Sequence, residues 1–144
     1  MTEEQRQLLI KDLCGRLPYG VNILHVKDGI IGVLSNINIY VEGREQKLKC
    51  SIPFFGEDNV PIEEFKPYLY PLSSMTEEQR SVLEDWDMNE PMLDISGERQ
   101  IYIATNPRII DYFNKHHFDY RGLIEKGLAL DATGVVMYSK EREL

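Results

Sequence analysis

The sequence predicts a single α+β domain: an N-terminal helix, an antiparallel meander or small partial β-barrel, and a C-terminal helix-turn-helix packed on it. Three observations carry that expectation. The chain opens with Thr2 and, three residues on, Gln5, the spacing of a capping box in which each side chain accepts from the other's backbone amide. From Tyr19 the apolar period changes to two, as in a strand with one buried face. The stretch from Pro107 to Ala132 holds the densest aromatic run together with helix start and stop residues. At 144 residues, 42% hydrophobic and 28% charged, the chain has the length of one ordinary domain, enough to bury roughly two-thirds of its unfolded surface.

The first helix is expected from Thr2 to about Cys14, with Ile10, Leu13, Cys14 and Leu17 in one apolar stripe at i, i+3, i+4 and i+7 and Gly15 as a left-handed stop. Residues 18–53 read as the sheet-rich part. Leu24 and Val26 share a face, Asp28-Gly29 is a hairpin turn signal, and Ile31, Val33, Ile37, Ile39 and Val41 alternate with their neighbours. Leu48, Cys50 and Ile52 then alternate with Lys47, Lys49 and Ser51, a strand with a charged outer face. The absence of a long helix between these strands argues against a doubly wound parallel sheet.

Residues 53–74 are punctuated by Pro53, Pro61, Pro67 and Pro71, which predicts an irregular connection of extended chain and turns with aromatic side chains buried along it. Pro61 to Phe65 has room for one short helical turn. Residues 75–132 read as mainly helical. MTEEQR, the first six residues, recurs at Met75 to Arg80 without further match, so it is a second use of the same helix start, followed by an apolar face of Val82, Leu83 and Trp86. Gln100 to Ala104 and Val135 to Tyr138 read as short strands. Pro107 suits the first position of a helix whose Ile109, Ile110 and Phe113 face the core. A sharp turn at His117-Phe118 should follow, and then a shorter helix capped by Asp119 and closed by Lys126 and Gly127.

Charge bounds the partners. A net charge of -8 at pH 7 argues against extensive nucleic-acid binding, because phosphate contacts need a surplus of Lys and Arg. No apolar run approaches a membrane span, and the first residues are acidic and polar, so a cytoplasmic location is expected. The two cysteines, Cys14 and Cys50, have no paired spacing and read as free buried thiols.

Chemistry-bearing residues concentrate at the end of the third helix. His116, His117, Asp111 and Asp119 resemble a ligand set by composition, but adjacent histidines on a helix diverge by about 100° and no pair stands at i, i+4. The expectation is no metal and no cofactor, with one histidine packed and the other solvated, and His25 able to join them only by tertiary contact. No catalytic residue is assigned: the cysteines and Ser73-Ser74 lack a nucleophile's setting, and no glycine-rich phosphate cradle occurs. Lys115, His117, Phe118, Tyr120 and Arg121 are the ligand-binding candidates, since they offer stacking faces and cations within a short span, as a nucleotide base and phosphate require.

Two segments, KPYLYPLSSMTEEQ from Lys66 to Gln79 and FNKHHFDYRGLIEKGLALDA from Phe113 to Ala132, resemble segments recurring in small uncharacterised proteins of gut-bacterial phages and prophages. The resemblance covers about a quarter of the chain and carries no assigned activity. It implies a phage-type accessory protein in the bacterial cytoplasm that acts, without catalysis, by binding a host protein or ligand. One alternative is a binder that sequesters a small signalling nucleotide, cyclic forms included, in host defence. Another is a hydrolase whose site the sequence does not locate.

Overall fold

The computed structural model describes residues 1–34, 37, 47–48, 60–86, 107–135 and 138. Helix α1 (Glu3–Arg16) starts on its capping box, the Gln5 amide donating to Thr2 Oγ1 at 3.1 Å and the Thr2 amide to Gln5 Oε1 at 3.0 Å. It runs past the expected end at Cys14. Gly15 is no stop; it lies inside the helix, where a Cβ would stand 3.0 Å from Asn114 Nδ2, so its smallness admits a neighbouring side chain. The left-handed stop is Gly20, at φ 71, after the short 3-10 turn Leu17–Tyr19. The buried face is also rotated from the expected stripe. Leu9, Ile10 and Leu13 are buried together with Asp12 and Arg16, whereas Cys14 is exposed and its thiol is not a core group. An ion pair at i, i+4 has taken the place that an apolar pattern assigns to hydrophobic residues.

Strands β1 (Asn22–His25) and β2 (Ile31–Val33) form the expected antiparallel hairpin, in the register Asn22↔Val33, Ile23↔Gly32 and Leu24↔Ile31. Gly29 turns it at φ 74, and Asp28 Oδ1 accepts from the Ile30 amide at 3.0 Å. The inward face is Val21, Ile23 and His25, one residue out of phase with the expected Leu24 and Val26, and a shift of one exchanges the two faces of a strand. Val26, Ile31 and Val33 are exposed.

The larger departure lies in residues 53–74. Its later part is no irregular connection: Phe65–Pro71 is the longest strand among the described residues, β5, preceded by β4 (Val60–Pro61) and the expected short turn Ile62–Glu64. Proline is tolerated because of register. The Val26 amide donates to the Glu64 carbonyl, so hydrogen-bonded pairs fall at Val26/Glu64 and Leu24/Lys66, and Pro67 faces Ile23 where no donor to β1 is needed. Phe65, Pro67 and Leu69 point into the core. A two-residue strand β3 (Lys47–Leu48) pairs antiparallel with β4; Cys50 and Ile52 of that expected strand lie outside the described residues, as do Ile39 and Val41 of the run before it and the expected strand at residues 100–104.

Helix α2 (Glu77–Trp86) repeats the first capping box, with Gln79 donating its amide to Thr76 Oγ1 at 3.2 Å and Thr76 donating to Gln79 Oε1 at 2.9 Å. Leu83 is buried, as its period predicts, and Val82 is exposed. Helix α3 (Pro107–Lys115) carries proline at its first position and buries Ile109 and Phe113. The sharp turn follows at His117, left-handed at φ 64.

The second helix of the expected helix-turn-helix is absent. Phe118–Asp119 is instead strand β6, and Leu130–Asp131 is β7; both pair parallel with β5, at Tyr70↔Phe118 and Tyr68↔Leu130. The start and stop residues are real but stand too close together. Gly122 at φ 72 breaks the chain after the cap, so Asp119 accepts from the amides of Leu123 and Ile124, both at 2.9 Å, and only one turn follows. That turn ends in a Schellman motif: Leu128 donates to the Leu123 carbonyl, Gly127 to that of Ile124, with Gly127 at φ 73 and Leu123 and Leu128 in one core cluster.

The result is an α+β fold on a mixed sheet rather than a purely antiparallel one, ordered β2-β1-β5-β6 with β7 also on β5, and it does not close into a barrel. One core cluster lies between α1 and the sheet and includes Leu13, Ile23, Phe65 and Leu123. A second, with Leu72, Leu83, Ile109, Phe113 and Phe118, lies under α2 and α3. Each fully buried Leu or Phe contributes about 1.5–3 kcal/mol.

Candidate functional site

The turn between α3 and β6 forms one wall of a cleft that also takes in residues of β5, the start of α2 and the chain after β7. His117 cannot continue the helix at φ 64, and its backbone carbonyl accepts from the Tyr70 amide at 2.8 Å, which pins the turn to β5. A left-handed backbone costs a non-glycine residue about 1–3 kcal/mol and persists only where its surroundings over-determine it; histidine is among the residues enriched there. The imidazole is stacked on Tyr138, with ring centroids 3.7 Å apart and planes 14° from parallel. Tyr138 is itself held, its hydroxyl donating to the Tyr68 carbonyl at 2.7 Å and accepting from the Asn22 amide at 3.0 Å. The Tyr70 ring packs against Phe118 and Tyr138 at 6.3 and 5.8 Å. These rings wall a cleft of about 260 Å³, whose polar lining is Ser74, Thr76, Gln79 and Thr133 together with His116 and His117.

The ligand-binding candidates read from sequence divide between two places. His117 and Phe118 line the cleft. Tyr120 and Arg121 do not; they belong to a buried charge network. Asp12, fully buried, receives Arg16 Nε at 2.8 Å and Arg16 Nη2 at 3.2 Å, and Arg121 Nε lies 3.3 Å from its Oδ1. Arg16 also donates to the carbonyls of Phe118 at 2.6 Å and Phe113 at 3.4 Å, and the Arg121 guanidinium donates to the Tyr120 hydroxyl at 3.1 Å while lying over its ring. Phe113 stacks on the same ring. Lys115 is exposed on the last turn of α3 and lines neither place. The two candidate cations, Lys115 and Arg121, thus lie apart from the cleft that His117 and Phe118 line.

Both His116 and His117 are buried, which corrects the expectation that one is solvated; His116 packs on Tyr112 with ring centroids 4.3 Å apart. His25 is engaged elsewhere, Nδ1 lying 2.9 Å from Asp28 Oδ1 and Nε2 3.1 Å from Glu64 Oε1, with Lys27 Nζ 3.2 Å from the same glutamate oxygen. Burial pushes the Glu64 carboxyl up, but hydrogen bonds and charge from His25 and Lys27 outweigh it and hold the group below the ordinary carboxylate range. The Ile30 amide, with His25, holds Asp28 below that range too. Among the described residues no three His, Cys, Asp or Glu side chains converge to hold a metal, and no helix is long and apolar enough to cross a membrane.

No protein-family model, curated protein or solved structure matches this chain. What the site can do therefore follows from its own side chains. Half-buried Tyr70 gives it an aromatic wall, and hydroxyl and amide groups give it hydrogen bonds. Sequence reasoning missed Tyr138, Thr76 and Gln79 as site residues. Thr76 and Gln79 had a complete reason to exist as a helix cap, and nothing local ties Tyr138 to His117.

Proposed function

We propose that this chain is a non-enzymatic accessory protein of the phage or prophage kind that works by holding a small ligand in the cleft beside His117. The observation that carries this reading is the His117–Tyr138 pair: a histidine kept on a left-handed backbone, stacked on a tyrosine whose hydroxyl is fixed to two strands. Backbone cost concentrated at the wall of a cleft is characteristic of binding sites. The resemblance of Lys66 to Gln79 and Phe113 to Ala132 to phage proteins supports the same reading, because those two segments supply most of the lining. Native mass spectrometry of the protein purified gently from phage-infected bacteria is the test. A small molecule retained in fixed proportion, and lost from a His117→Asn variant, is the expected result. A bare protein mass, with no thermal stabilisation by extracted host metabolites, would end the ligand reading.

A host protein as partner has its own support. Val26, Ile31 and Val33 stand 50%, 45% and 45% exposed along the β1–β2 hairpin and form an apolar strip there. In the same mass spectra, a co-purifying host protein released by Ile31→Glu would favour it.

A further inference from the structure

We infer that Asp28 is a latent modification site, a position where the backbone isomerises to isoaspartate without any enzyme, and that the folded β1–β2 hairpin keeps it closed; this stands apart from the cleft beside His117. Asp28 is the only aspartate in the chain followed by glycine. In the reaction the Gly29 amide nitrogen attacks the carboxyl carbon of the Asp28 side chain. A nitrogen–carbon bond forms, a carbon–oxygen bond of the acid breaks, and water leaves, made of the acid's hydroxyl and the amide's proton. A second water then opens the five-membered ring at either carbonyl, giving back aspartate or leaving the main chain running through the former side chain. Glycine favours the attack because it sets no side chain beside the nitrogen, and a Cβ placed on Gly29 would meet nothing within 4 Å. Solvent reaches the turn, the Asp28 side chain being 42% exposed.

Folding engages both reacting groups. Gly29 donates its amide to the His25 carbonyl at 2.9 Å, a bond that attack by the nitrogen has to break. Asp28 Oδ1 accepts from the Ile30 amide at 3.0 Å, and His25 Nδ1 lies 2.9 Å from the same oxygen, so turning the carboxyl toward Gly29 gives up both contacts. Those contacts also favour the carboxylate and hold the group below its ordinary range, which thins out the acid form that can lose water. The product cannot rebuild the turn. Isoaspartate lengthens the main chain by a methylene and shortens the side chain by the same amount, so the carboxyl no longer stands where the Ile30 amide finds it. The register from Asn22↔Val33 to Leu24↔Ile31 then loses the connection that sets it, and the exposed Val26 and Ile31 on either side of the turn are displaced with it.

The test ages the full chain at neutral pH, folded in buffer and unfolded in urea, and counts isoaspartate at residue 28 by peptide mapping with electron-transfer fragmentation. Reaction only from the opened turn scales the folded rate by the open fraction, so the folded chain should isomerise slower by about tenfold or more. Asp28→Asn gives a second reading, because Asn-Gly suits the same hairpin turn and loses ammonia in place of water. Its conversion is followed by the mass gained, and the folded variant should be protected to a similar degree. The isomerised parent, separated from the unmodified chain, should exchange its β1 and β2 amides faster. Equal rates folded and unfolded, in the parent or in Asp28→Asn, overturn the closure. An unfolded chain that gains no isoaspartate at residue 28 overturns the site, and unchanged amide exchange in the isomerised chain overturns its consequence for the hairpin.

Discussion

Asp12 and Arg16 stand one turn apart on α1 and form a two-pronged ion pair from which water is wholly excluded, both side chains being 0% exposed. The arginine also donates to the carbonyls of Phe113 and Phe118, so the pair joins α1 to the turn that ends α3. Removing one partner leaves an uncompensated buried charge, and Arg16→Ala or Asp12→Ala should each cost about 3–5 kcal/mol in urea unfolding. Replacing both by apolar residues of similar volume, Asp12→Leu with Arg16→Met, should recover much of that loss. A single substitution costing under about 1 kcal/mol would show the pair to be solvated.

Asp119 accepts from two backbone amides while only 6% exposed, and it holds the single turn between β6 and β7. Asp119→Ala should cost about 3 kcal/mol, since hydrogen bonds to a charged group contribute about 1.5–3 kcal/mol. Asp119→Asn, which keeps one acceptor oxygen, should cost less. Equal losses in the two variants would assign the effect to packing.

Gly15→Ala in a helix interior ordinarily stabilises by about 1 kcal/mol. Here the new methyl meets Asn114 Nδ2 at 3.0 Å, so in the native chain the substitution should destabilise. Made in an Asn114→Ala background, it should stabilise. A double-mutant cycle in thermal unfolding measures the coupling, and additivity would mean that α1 and α3 do not touch there.

The His25 cluster should contribute to the response to acid. Glu64 and Asp28 both titrate below their ordinary values in the folded chain, so the stability they contribute is fully present above those ordinary values and is lost as the pH falls through the folded ones. Unfolding free energy should therefore decline below about pH 4.5, and Glu64→Gln should flatten the decline. Equal slopes in the variant and the parent would remove the cluster from the acid response.

The local signals in this chain were legible where one short segment settles its own geometry. Both Thr-x-x-Gln boxes, the Asp28-Gly29 hairpin and the proline that opens α3 need only neighbours in sequence. Features decided at a distance were not. Pro67 looks like a strand breaker until its partner Ile23 is known, and the apolar stripe of α1 is displaced by Asp12 and Arg16, which pair inside the fold. Gly122 could not be weighed against Asp119 by pattern alone, because the helix it prevents has the right residues at both ends. The cleft shared this fate: His117 and Phe118 were visible, while Tyr138, twenty-one positions on, enters through its hydroxyl's contact with Tyr68.

Strand β5 pairs with β1 through residues some forty positions earlier and with β6 and β7 through residues some fifty to sixty positions later. Closing such loops costs entropy before any contact rewards it, which places this small sheet among slow, high-contact-order folding problems. During synthesis the hub strand emerges long before half of its pairing exists. Until Leu130 leaves the ribosome, its flank is an open edge, from which the prolines at 67 and 71 withhold two backbone donors.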